Sequence, residues 1–334
     1  MFTARRVLVV GDAMLDEYLS GEARRVSPEA PIPVVEVRSR THNAGGAGNV
    51  ASNLTALGAD VSILAVTGED PAASLLSRAL ASRGVDTTCL LSDAHRPTTV
   101  KTRVIAQSQQ VARIDVEDRS PLSPALENRL LANLEAELSS CDAVVLSDYA
   151  KGVLTPRVCR AAIELAAAAR CPVVVDPKCR DFSRYRDCTV ITPNLLEARA
   201  AALDLEESLE VNALGRALLQ LVARPVLITR GAGGMSLFQP DRAPMHLATT
   251  ARAVFDVTGA GDTVVAVLAL ALAGGAPLPV AARLANAAAG IVVGKLGAAV
   301  LSPAEIASLG RFETEAEDQR PTVEFTRPAP GLRR

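Results

Sequence analysis

Short apolar runs rich in Val, Ile and Leu recur along the chain at residues 7–10, 61–66, 143–146, 173–175, 189–192 and 226–229. Each is too brief for a helix and reads as a strand buried on both faces. Most are separated by Ala- and Leu-rich stretches of helical length, at 122–139, 156–169 and 195–223. Buried strands alternating with helices predict an α/β chain of Rossmann-like build, with a mostly parallel central sheet flanked by helices. Two segments depart from this rhythm. Residues 13–40 and 97–117 alternate with period two between turns, which predicts strands of a small β-sheet lid laid over the mouth of the main domain. With no internal repeat and no linker, one domain is expected over residues 1–312, the lid strands being insertions in it. The Pro-, Glu- and Arg-rich residues 313–334 are expected to form a partly disordered tail.

Composition narrows the function classes. The chain has 334 residues, 49% hydrophobic and 22% charged, enough for a sizeable core. A net charge of −2 supplies no polybasic face for nucleic acid or anionic lipid, and 3% aromatic residues with no Trp leave few stacking platforms for single strands. The six cysteines include no C-x-x-C pair, so neither a disulfide framework nor a zinc site is expected. Arg5 and Arg6 precede an apolar run that ends at Gly11 and Asp12, which reads as a first strand and not an export signal. The most apolar helical stretch, 264–273, is too short to span a bilayer. No nucleic acid and no membrane are therefore expected as partners, and the expected location is cytoplasmic.

In open α/β sheets ligands bind beyond the C-terminal ends of the strands. The polar residues there are Asp12, Asp16, Asp148, Asp176, Lys178, Asn194 and Thr229. Further along, G-A-G-D at 259–262 opens a long apolar helix. Two readings compete at Asp262: a first-turn acid that caps the helix, or a base beside glycine N–H groups that hold an anion. In the second, a phosphate over Gly259, Ala260 and Gly261 would leave Asp262 placed to take a proton from an attacking hydroxyl.

A second glycine cluster, N-A-G-G-A-G-N at 43–49, is separated from the first strand by about thirty residues, too far for a dinucleotide fingerprint. It reads as a loop that hinges the lid at Gly45 and Gly46 and brings Asn49 to a polar ligand, or as a plain glycine-rich helix start. No Walker loop is present; G-I-V-V-G-K-L at 290–296 has the wrong spacing and no Ser or Thr after Lys295. At T-P-N-L-L-E, 192–197, Asn194 and Glu197 are spaced as a capping box, or as outer ligands of a magnesium ion and its waters. Lys101 and Arg103 alternate on a lid strand and share a face; with Lys151 and Lys178 they are candidates for meeting a substrate phosphate. The three histidines show no ligand spacing.

Together, V-V-G-D-A-M-L-D at 9–16, G-G-A-G-N at 45–49, T-P-N-L-L-E at 192–197 and D-V-T-G-A-G-D at 256–262 resemble the ribokinase-like, phosphofructokinase-B type, sugar kinases over about residues 5–310. Within them, R-V-S-P-E-A-P-I-P-V-V at 25–35, L-S-D-Y-A-K-G-V-L at 146–154, D-P-K at 176–178 and L-A-N-A-A-A-G-I-V-V-G-K-L-G at 284–297 resemble the branch acting on D-glycero-β-D-manno-heptose 7-phosphate.

The resemblance implies a ribokinase fold and transfer of the ATP γ-phosphate to the anomeric O1, giving the 1,7-bisphosphate on the route to ADP-heptose and lipopolysaccharide core. It implies Asp262 as base, with the N–H groups of Gly259, Ala260 and Gly261 stabilising the moving phosphoryl. Asp16, Asn49 and Asp148 would bind sugar hydroxyls, and Lys101 and Arg103, with Lys151 or Lys178, the 7-phosphate. Asn194, Glu197, Thr229, Gly231, Gly261 and Asn286 would face ATP and Mg2+, Asn194 and Glu197 reaching the metal through water. A monovalent cation such as K+ is a further implied cofactor, and a homodimer paired through the lid strands the implied assembly. Many relatives carry a fused adenylyltransferase domain, which does not fit within this length, so a kinase alone is expected. The alternatives are another sugar or nucleoside kinase of this fold, or a non-catalytic nucleotide or sugar sensor built on it.

Overall fold

The computed structural model describes residues 5–202, 210–251, 255–295, 300–302 and 305. Among them the strands are β1 (Arg6–Gly11), β2 (Ala13–Val26), β3 (Pro33–Gly46), β4 (Asp60–Gly68), β5 (Leu90–Asp93), β6 (Val100–Ala106), β7 (Gln109–Val116), β8 (Ala143–Ser147), β9 (Val173–Asp176), β10 (Val190–Ile191), β11 (Val226–Thr229), β12 (Met235–Phe238) and β13 (Met245–Leu247). The helices are α1 (Ala47–Ala56), α2 (Pro71–Ala81), α3 (Pro124–Leu138), α4 (Pro156–Ala168), α5 (Leu195–Ala201), α6 (Val211–Val222), α7 (Ala260–Ala273) and α8 (Leu278–Val292). The expected tail, 313–334, lies outside the described residues.

The apolar runs form the central sheet, ordered β13-β12-β11-β10-β9-β8-β1-β4-β5. Its pairs are parallel except β11 with β12 and β12 with β13. Alternation along β1 divides the core. Val7 and Val9 face α1, α7 and α8, while Leu8 and Val10 face α3, α4 and α6. Helix α7 is apolar on every side because it lies between the sheet, α1 and α8, and Val264 through Ala271 are all buried. Among the described residues no helix is long and apolar enough to cross a membrane. Three helices start on one device: Asp70, Ser123 and Thr155 each accept a backbone N–H three residues on and precede a proline.

The Ala- and Leu-rich stretch at 195–223 contains two helices. Helix α5 stops because Ala202 (φ −99°, ψ 19°) has left the helical region, and α6 starts after Glu210, whose backbone is extended at ψ 150°. The run at 189–192 pairs as a strand only at Val190 and Ile191.

The two period-two segments form a second sheet, ordered β3-β2-β6-β7. The chain leaves the main sheet at Asp12 and returns at Ala47, and the Ala47 N–H closes the gap by donating to the Asp12 carbonyl at 3.1 Å. Gly46, at that junction, has φ +58°, and a Cβ there would stand 2.4 Å from the Asp12 oxygen. Only glycine fits the turn back into α1.

Candidate active site

Beyond the C-terminal ends of β1, β8, β9 and β11, two cavities meet at the start of α7. The larger, about 550 Å3, is lined by Thr229, Gly231 and Asn286 together with apolar side chains such as Met235, Val264 and Val293. The smaller, about 330 Å3, is lined by Asp148, Asp176, Lys178, Glu197 and Asp262. Asn194, Thr229, Val257 and Gly261 border both. One space is shaped for an amphipathic ligand of moderate size and the other for a charged, hydroxyl-rich one.

Gly259 turns the chain into α7 with φ 78°, so Asp262 falls in the first turn. It makes no capping bond there. Its carboxylate reaches back: Asn49 Nδ2 donates to Oδ2 at 2.5 Å and the Tyr149 hydroxyl to Oδ1 at 2.8 Å. The acid is thus not a cap of its own helix; two donors from other elements hold it at the wall of the smaller cavity. Burial pushes the Asp262 carboxyl up, the two donors oppose it, and the balance lies at about 6. Each oxygen keeps a lone pair free for a further proton or hydroxyl.

The first-turn N–H groups are divided. That of Ala260 donates to the Val257 carbonyl at 3.3 Å, so it is spent within the turn and not free as expected. Gly261 lies in the first turn, where N–H groups find no intrahelical acceptor. A Cβ on Gly261 or Gly231 would meet no atom within 4 Å. Both glycines leave cavity space beside the backbone, the cradle that close approach of phosphates requires.

Asn194 and Glu197 form a complete capping box on α5, with Asn194 N–H to Glu197 Oε2 and Glu197 N–H to Asn194 Oδ1, both at 2.9 Å. Glu197 Oε1 also accepts from Lys178 at 2.6 Å, so this lysine is tied beside the smaller cavity. Burial, then the carboxylates of Asp262 and Glu197, push the Asp176 carboxyl well up. Among the described residues no three His, Cys, Asp or Glu side chains are grouped to hold a metal directly. Two carboxylates and an amide at one cavity wall suit a hard cation that keeps most of its waters.

The second sheet brings its own charges over this mouth. Asp16, Lys101 and Asp115 stand in register across β2, β6 and β7. Asp16 Oδ1 pairs with Arg103 at 2.5 Å, the guanidinium lying over the Tyr18 ring, and the second carboxylate oxygen has acceptor capacity left. Lys101 pairs with Asp115 at 3.4 Å, and Lys151 with Glu117 at 2.6 Å. The Lys151 ammonium beside it holds the Glu117 carboxyl down to about 2. The four cations expected to converge on a phosphate thus each have a carboxylate partner. Asp148 is buried and accepts from the Tyr185 hydroxyl and, at 2.7 Å, from the Ala150 N–H. A Cβ on Gly45 would stand 2.3 Å from the Asp16 carboxylate, so glycine there keeps that acid in place.

Tyr149, Glu117 and Tyr185 were not anticipated. Tyr149 follows Asp148 in a segment already suspected, but its contact with Asp262 spans 113 residues and leaves no trace in spacing.

Comparison with known proteins gives a consistent answer. The family model described as "pfkB family carbohydrate kinase" matches residues 4–305. The chain is 47% identical over 317 residues to the bifunctional protein HldE of Trichlorobacter lovleyi, covering 94% of this chain and 65% of that one. It is 50% identical over 302 residues to its counterpart in Pelobacter propionicus, covering 90% and 62%. The chain therefore spans less than two thirds of the length of these curated relatives. In structure it is similar to the ribokinase of Arabidopsis thaliana complexed with ribose and ATP, with a TM-score of 0.70, 21% identity and coverage of 92% and 99%. It is also similar to the phosphofructokinase-2 of Escherichia coli in complex with potassium, with a TM-score of 0.74, 16% identity and coverage of 93% and 100%.

Proposed function

The chain belongs to the pfkB family of carbohydrate kinases, and from that premise we propose that it phosphorylates the anomeric O1 of D-glycero-β-D-manno-heptose 7-phosphate with ATP. The product would be the 1,7-bisphosphate, a precursor of ADP-heptose for lipopolysaccharide core. The relatives named HldE support the heptose, and the single observation that carries the chemistry is the Asp262 carboxylate held by two donors where the two cavities meet.

In this reading the nucleotide lies in the larger cavity along Thr229, Gly231, Asn286 and Gly261, and the sugar in the smaller one with Asp262, Asp148 and the second sheet. Asp262 takes the proton from O1 as the O1–P bond forms. The bond from Pγ to the β,γ-bridging oxygen breaks, ADP leaves with its electron pair, and the proton passes later from Asp262 to water. The N–H of Gly261 and the dipole of α7 stabilise charge on the phosphoryl group. Magnesium, when bound, neutralises phosphate charge; Asn194 and Glu197 would hold it through water, with Asp176 beside them. Closure of the second sheet about Gly45 and Gly46 would exclude water as a competing acceptor.

Lys101, Arg103, Lys151 and Lys178 are assigned to the sugar phosphate, which must compete with the carboxylates that now hold them. That pairing favours a second reading, a kinase of an unphosphorylated sugar, which would need no free cations. The exposed Val37, Ile114 and Val116 on the second sheet and its open edge strands support a homodimer formed there. A role for K+ draws support from the potassium complex named above, and a cytoplasmic location from the substrate. ADP release from Mg-ATP tests the proposal, with the heptose 7-phosphate, the free heptose, ribose, fructose and fructose 6-phosphate as acceptors. Turnover on the heptose phosphate alone supports it. Turnover on an unphosphorylated sugar selects the second reading, and silence with every acceptor selects a sensor.

A further inference from the structure

Asp12 follows β1 and is buried at 2% exposure, yet it lines neither cavity described above. Its carboxylate accepts three backbone N–H groups of one loop: Tyr149 at 2.8 Å, Lys151 at 3.0 Å and Val153 at 3.1 Å. Such a carboxylate fixes a loop as a bound anion fixes a nest of amides. The same loop passes close to the Ser120 carbonyl at Gly152, where φ is +92° and a Cβ would stand 2.0 Å from that oxygen, so only glycine fits there. A loop tied by three hydrogen bonds to one carboxylate has little freedom, and the side chain it presents to Asp262 is Tyr149.

The Tyr149 hydroxyl donates to Asp262 Oδ1 at 2.8 Å while Asn49 on α1 holds Oδ2. The next residue of α7, Thr263, donates at 3.0 Å to Oδ1 of Asn53, one turn along α1 from Asn49, so α1 and α7 are joined a second time beside the pair. We infer that Tyr149 is a positioning residue for phosphoryl transfer, its hydroxyl, set by the Asp12-anchored loop, aiming the Asp262 carboxylate and favouring its ionised form. This rests on the proposed role of Asp262 as base.

A hydroxyl serves this purpose only if it stays protonated. Burial, and then the Asp262 carboxylate, push the Tyr149 phenol well above its ordinary range, so it remains a donor wherever Asp262 titrates. Other charged groups also bear on Asp262. Asp16 on β2 raises its carboxyl and Lys178 after β9 lowers it; the Asp262 charge in turn raises the carboxyl of Asp176 at the end of β9, and Glu197 on α5 acts on the same Tyr149 hydroxyl. Asn49 and Tyr149 are the donors that oppose burial most directly.

Tyr149→Phe keeps the ring and removes one donor to a charged acceptor. The Asp262 midpoint should then rise by about one pH unit, the scale of a hydrogen bond to a charged group. Two readouts follow it: 13C titration of aspartate-labelled protein, with Asp262 assigned through Asp262→Asn, and the acid limb of kcat/KM. The limb should move upward with the midpoint while ATP binding stays unchanged. Fluorotyrosine placed at 149 alone, a stronger donor in the same space, should move both downward, and it carries the test if the Phe variant does not fold. An unchanged midpoint, or an equal loss of turnover at every pH, would overturn the inference. If the wild-type protein phosphorylates no acceptor, the kinase reading fails separately, and the titration still decides whether Tyr149 sets the carboxylate.

Discussion

Replacing Gly261 by Ala should separate function from stability in a way few substitutions can. The added Cβ would meet no atom within 4 Å, and Gly261 sits in the first turn of α7, so neither a clash nor strain opposes it. Alanine is the better helix former by up to about 1 kcal/mol in a helix interior and less at an end, so the melting temperature should hold or rise slightly. The methyl group would project into the space where the two cavities meet, beside the N–H assigned to the moving phosphoryl. Loss of one donor to a developing charge commonly costs about 10²–10³ in turnover, and a displaced phosphate should lose a comparable factor. Gly46→Ala is the contrasting control. With φ +58°, ψ −131° and a Cβ 2.4 Å from the Asp12 oxygen, it should destabilise the fold by about 1–3 kcal/mol from the backbone conformation alone, before the clash is counted. Thermal unfolding and steady-state kinetics on both variants are the assay. Normal turnover in Gly261→Ala would show that the phosphoryl group passes elsewhere and refute the placement of the nucleotide.

Asp262→Asn should lower kcat by about 10²-fold or more while ATP binding, read by calorimetry, stays near normal. Because the Asp262 carboxyl titrates at about 6, kcat/KM should be nearly level above pH 7 and fall tenfold per unit well below 6; a level profile down to pH 5 would exclude this base. Glu117 provides a stability test. Its folded value, about 2, lies below its ordinary 4.5, so the pairing with Lys151 contributes stability above about 4.5 that is lost as pH falls towards 2. Glu117→Gln should flatten that part of the melting temperature against pH, and an unaltered slope would show the pairing to be without weight.

Features with a local cause were legible in the sequence. Strands buried on both faces must be apolar throughout, so β1, β4, β8, β9 and β11 announced themselves as runs. The alternation of β2 and β6 did the same for the second sheet. The antiparallel end of the main sheet did not, because β12 and β13 are brief and the return of β12 against β11 depends on the tight turn from Gly231 to Gly234. At the site, Asp262 was found because the glycines before it are local. Asn49 was singled out for a ligand and Tyr149 not at all, but neither was legible as a partner of Asp262, since they lie 213 and 113 residues away and such contacts exist only once the sheet is assembled. For the same reason Lys101 and Lys151 read as free cations until Glu117, brought in behind β7, was seen to pair with them.

The most direct test is to follow the product itself. Wild-type protein, Mg-ATP and D-glycero-β-D-manno-heptose 7-phosphate should give, by 31P and 1H NMR, one new phosphate ester coupled to the anomeric proton, with ADP in equal amount. Asp262→Asn should give almost none in the same time. A phosphate on another carbon, or product formed equally fast without the Asp262 carboxylate, would contradict the account.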